Sequence, residues 1–134
     1  MPQQIRSRLR LSWYVLISGV TITSVLPGIS LRDPRIAVLI DHTWVHFVVY
    51  TALAAIPLLG WRLRAGIALT SGTAILSVVL QVIHAFVSGH GIDAHGTMIN
   101  LLGVLSGILL GLNIVSLRTR TKYRDTKLTD RIHD

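Results

Sequence analysis

Five of the six histidines, His42, His46, His84, His90 and His95, keep company with Asp41, Gln81, Asp93 and Asn100 in an otherwise apolar chain. Imidazole nitrogen and carboxylate oxygen are zinc ligands, and His46, His84, His90, Asp93 and His95 form the set that could hold Zn²⁺. Asp41 or Asp93 beside a histidine would also suit general acid–base work. No H-E-x-x-H helix, nucleophile elbow, P-loop or dinucleotide fingerprint accompanies them, so no cofactor is expected and zinc stands as the alternative. Cysteine and glutamate are absent, which removes disulfides, thiolate catalysis and Cys-ligated metal.

The elements that must position these groups are apolar blocks. The chain is 51% hydrophobic and 14% charged, against roughly 25% charged in a soluble domain. Between Trp44 and Leu117 the only charged side chains are Arg62, Arg64 and Asp93. The net charge of +7 comes from basic residues that flank these blocks and form no single face, so nucleic acid is not an expected partner. A helix needs about 20 residues to cross a hydrocarbon core. The pattern predicts an all-α polytopic membrane protein with four transmembrane helices over about 11–30, 43–60, 65–87 and 97–117. Strands are excluded by block length and by the lack of strict alternation. Residues 1–117 form the transmembrane domain, and 118–134 a basic cytoplasmic tail that touches anionic lipid headgroups. The first block follows Arg6, Arg8 and Arg10 without a cleavage motif, and reads as an uncleaved signal anchor. Asp33-Pro34, an N-cap followed by proline, predicts a short interfacial helix or turn before the second span.

Lysine and arginine orient the bundle. Eleven lie in the N-terminal segment, the loop at Arg62 and Arg64, and the tail, while only Arg32 and Arg35 lie on the other side. Both termini are therefore expected in the cytoplasm of a multi-pass protein of the cell (inner) membrane. That orientation brings His46, Tyr50, Gln81, His84 and Asn100 to one depth near the outer end. His46 and Tyr50 share a helix face, as do Gln81 and His84. Polar groups at membrane depth normally face the bundle interior or a water-filled cavity. The fourth helix carries Gly96, Asn100, Gly103, Gly107 and Gly111 as one small-residue stripe suited to close helix packing. A helix-packing partner or a second copy could use Gly103, Gly107 and Gly111 in the same way.

The segment from Asp41 through His46 to Tyr50, then Gln81, then Ser88-Gly89-His90-Gly91-Ile92-Asp93, then Asn100 with Gly103 and Gly107, resembles the VanZ-like family in order and spacing. The resemblance covers roughly residues 11 to 117. Val78, His90 and Gly96 stand where that family usually has Glu, Arg and a second Asp. It implies a four-helix membrane fold, a cell-envelope role and a link to antibiotic resistance, but no reaction. Together with the depth argument it nominates Asp41, His46, Tyr50, Gln81, His90, Asp93 and Asn100 as ligand-binding residues. His46, Gln81, Asp93 and Asn100 are expected to line one extracytoplasmic cavity.

Three functional readings follow. The cavity binds a lipid headgroup, a cell-wall precursor or a glycopeptide-type antibiotic. Alternatively, the chain is a membrane-embedded enzyme, with or without metal, acting on an envelope substrate, or a non-catalytic subunit of a membrane complex. Membrane lipids are partners in all three.

Overall fold

The computed structural model describes residues 3–25, 43–89, 91 and 93–133. Those residues are all-α, with four helices: α1 Gln3–Val25, α2 Thr43–Gly60, α3 Leu63–Ser88 and α4 Ala94–His133. The helix or turn expected over 31–42 lies outside the described residues.

The two largest departures from the expected boundaries share one physical reason. Helix α1 begins at Gln3 and not at Leu11, and α4 runs on past Leu117 to His133. Neither Gln3–Arg10 nor Arg118–His133 contains Gly or Pro, so nothing in the chain stops the helix where the composition turns basic. The change of composition at Arg118 leaves the backbone helical. At 40 residues, α4 is about 60 Å long. Helix α3, by contrast, ends on Gly89, whose φ of 67° is the left-handed conformation of a C-terminal cap.

Helix α2 is the centre of the bundle and packs against all three others, while α1 and α4 make no contact with each other among the described residues. Its pairing with α1 is antiparallel, since Arg10 Nε donates to Gly60 O at 3.0 Å and Trp13 Nε1 to Leu53 O at 2.9 Å. The second of these bonds answers Pro57. Proline has no N–H to give the carbonyl four residues back, which leaves Leu53 O open inside the bundle. The Trp13 indole N–H satisfies that carbonyl. Nearby, Thr70 Oγ1 donates to Ala54 O at 2.9 Å and ties α3 to the same stretch. The turn between α2 and α3 is only two residues long. It closes because Gly66 has no Cβ, which would stand 2.8 Å from Pro57 O.

The glycine stripe of α4 is spent within the chain. A Cβ on Gly103 would lie 2.7 Å from Phe47 O, one on Gly107 would strike Thr51 O, and one on Gly111 would meet the Leu58 side chain at 2.7 Å. Numbers rise together on both helices, so α2 and α4 run parallel. The surface considered for a partner or a second copy is thus covered by α2 of the same chain.

The bundle has an apolar core around Leu53 and Ala54, and it also exposes many large apolar side chains. Thr70, Thr73, Ser77 and Asn100 are buried, while Phe86 is 84% exposed, Trp44 74%, and Leu102, Leu105, Leu109 and Leu110 all face outward. Two helices, Leu63–Val87 and Ala94–Thr121, are long and apolar enough to cross a membrane. The apolar part of α2, Trp44–Gly60, is shorter, and α1 carries Arg6, Arg8 and Arg10 in its opening turns.

Candidate functional site

At the end of the bundle away from Arg10 and Trp61, the four helices enclose a cavity of about 290 Å³. Its position follows from the packing. Helices α1 and α4 make no contact with each other among the described residues, and both line the cavity. Helix α1 brings Thr23 and Ser24, α2 brings His46 and Tyr50, and α3 brings Gln81 and His84. Asp93, His95, Gly96 and Asn100 come from the start of α4, and Leu80 and Ile99 supply apolar wall.

The cavity has a rim and a floor of different character. His46, His84, Asp93 and His95 are exposed at the rim. Tyr50 and Asn100 form the floor, 4% and 2% exposed. The Tyr50 ring belongs to the apolar core with Trp13, Leu53, Ala54 and Val104, so its position is set by packing.

Asp93 has a structural role that also aims it. It is the N-cap of α4, with its Oδ1 accepting from the His95 N–H at 3.0 Å and its carbonyl from the Thr97 N–H at 3.0 Å. The Thr97 hydroxyl donates to the same carbonyl at 2.8 Å. The other carboxylate oxygen turns over Gly96. A Cβ built there would lie 2.5 Å from Asp93 Oδ2 and 3.1 Å from Gln81 Nε2. Glycine at 96 therefore keeps open the space in which a carboxylate from α4's cap and an amide from α3 converge.

Asn100 Oδ1 is buried and has no hydrogen-bond partner among the described residues. A buried acceptor left unmade costs about 1–3 kcal/mol. Such groups are rare in folded proteins and call for a specific explanation. In a polar cavity lined by four helices, water or a bound molecule is the available donor.

Of the residues nominated from the sequence, the structure brings His46, Tyr50, Gln81, Asp93 and Asn100 to one cavity, together with His84 and His95. Asp41 and His90 lie outside the described residues. The zinc alternative gains nothing from the geometry: among the described residues no three His or Asp side chains form a group able to hold a metal ion. Asp93 Oδ1 is already committed to the helix cap. Sequence reasoning missed Thr23 and Ser24. The polar run Thr21-Ile22-Thr23-Ser24 near the far end of the first apolar block was the available signal. The Thr23 hydroxyl donates back to Gly19 O at 2.9 Å and Val20 O at 3.1 Å, which hides its polarity inside the helix.

Comparison with protein-family models, with curated proteins and with solved structures finds no match to this chain.

Proposed function

We propose that the chain is a VanZ-like integral membrane protein that spans the cell (inner) membrane four times, with both termini in the cytoplasm. Its extracytoplasmic cavity binds the polar part of an envelope ligand. The orphaned Oδ1 of Asn100, buried at the floor of a cavity with polar groups from four helices, is the observation that carries this reading.

The membrane part rests on the exposed apolar surface and on the charge pattern. Large apolar side chains outside and hydroxyls inside suit a lipid surround. Arg10 lies 5.2 Å over the Trp61 ring, with Trp13 and Tyr14 edge-on to the same indole. Aromatic and basic side chains together at one end are the composition of a membrane–water interface on the positively charged side. The cavity lies at the opposite end, which corresponds to the extracytoplasmic face.

The binding part makes a stability forecast that runs against intuition. If Asn100 waits for a ligand, removing its amide relieves an unmade hydrogen bond in the empty protein. Asn100→Leu, of the same branched shape, is expected to unfold at the same or a higher temperature than the parent in ligand-free detergent, with a gain of about 1 kcal/mol. If Asn100 were a structural hydrogen-bonding residue, the same substitution would lower the unfolding temperature by several degrees, and the binding role would be withdrawn.

A further inference from the structure

The cavity does not end at its polar walls. A second space of about 290 Å³ runs between α1 and α2 and shares Thr23, Ser24, His46 and Tyr50 with it. Its remaining lining is apolar: Val15, Leu16, Gly19, Val20, Val45 and Val49. From Val15 to Ser24 it follows α1 for about 14 Å. Val15 and Val45 at its edges are exposed on the outside of the bundle. Gly19 leaves it open, for a Cβ there would meet nothing within 4 Å. A polar chamber and an apolar groove thus share four wall residues. That combination fits one molecule with a polar head and a hydrocarbon chain.

We infer that the ligand is a membrane lipid whose headgroup carries N–H or O–H donors, seated in the polar cavity with one acyl chain in the groove between α1 and α2. This rests on the binding role proposed for the cavity and names the ligand class. The donor requirement follows from the site, since Asn100 Oδ1 is an acceptor without a donor and Asp93 adds a carboxylate at the rim. An ethanolamine head meets that requirement, and a choline head of the same length does not, because its nitrogen bears no hydrogen.

The test uses the full chain in nanodiscs of equimolar phosphatidylethanolamine and phosphatidylcholine with identical acyl chains. Retained lipid is read by native mass spectrometry after transfer to detergent. One lipid per protein is expected, with the ethanolamine form favoured about tenfold, the difference of one charge-assisted hydrogen bond. Gly19→Leu, whose Cβ has open space and whose side chain extends into the groove, is expected to lose the lipid with thermal stability unchanged. Asn100→Leu is expected to keep a lipid and lose the preference. Chainless glycerophosphoethanolamine separates the two levels of the claim. If it binds parent and Gly19→Leu protein equally well and Gly19→Leu also retains as much lipid as the parent, the polar site stands and the lipid inference fails. If it does not bind, and both lipids are retained equally with neither substitution mattering, the binding role of the cavity fails with it.

Discussion

Gly107→Leu is expected to eliminate the folded protein, whereas Gly72→Leu leaves it intact. Both glycines are helical, so loss of backbone freedom is the same in kind, and only the surroundings differ. A Cβ at position 107 would run into the Thr51 carbonyl and stand 2.8 Å from Ala54 Cβ and 3.1 Å from Ala55 N. These are backbone and a first side-chain carbon of the central helix, which cannot swing aside. Accommodating a leucine means pushing α4 off α2, the most extensive contact in the bundle. The cost lies at or above the top of the overpacking range, about 3 kcal/mol or more. Position 72 faces open space, where a leucine costs nothing in contacts. Size-exclusion chromatography and thermal unfolding in detergent check the pair. Equal behaviour of the two variants would mean that the α2–α4 interface is not the one described.

The second large effect concerns sidedness, and the chain suits the measurement because it contains no cysteine. Single cysteines at Gly91, Arg62 and Arg120 are exposed positions in the α3–α4 connection, the α2–α3 turn and the distal part of α4. In spheroplasts, a membrane-impermeant maleimide is expected to label Gly91→Cys fully. Arg62→Cys and Arg120→Cys should react only after the membrane is disrupted. The reverse pattern would invert the orientation and put the cavity on the cytoplasmic side. Equal labelling of all three in intact spheroplasts would remove the membrane-spanning reading itself.

What could be read from the residues, and what could not, divides along physical lines. Helix α2 is found at 43–60, as its apolar block predicts, because it is bounded by sharp changes in composition and by the turn at Trp61-Arg62. The common depth of His46, Gln81 and Asn100 was also legible, since burial cost acts on position along a helix and that is written in the sequence. The ends of α1 and α4 were not. Hydropathy reports where lipid would stop, while arginine, lysine and threonine continue a helix beyond that point. Spacing alone put Gly103, Gly107 and Gly111 on one face but could not say whose helix covers it; the answer is the chain's own α2. Asp93 was read for its chemistry, and its position just before a helix would have identified the N-cap as well. The capping of the Leu53 carbonyl by Trp13, 40 residues away in sequence, is a tertiary event with no local signal.

The proposed site centres on Asn100 and the chamber above it. The most direct test is an experimental structure of the full chain in a nanodisc of phosphatidylethanolamine, at a resolution that shows side-chain density. Density for a bound head within hydrogen-bond distance of Asn100 Oδ1 is the expected result, with Gln81 and Asp93 beside it over Gly96. A chamber closed on itself, with Asn100 Oδ1 bonded to Gln81 or His46 and no density between them, would make the cluster a packing device and contradict the account.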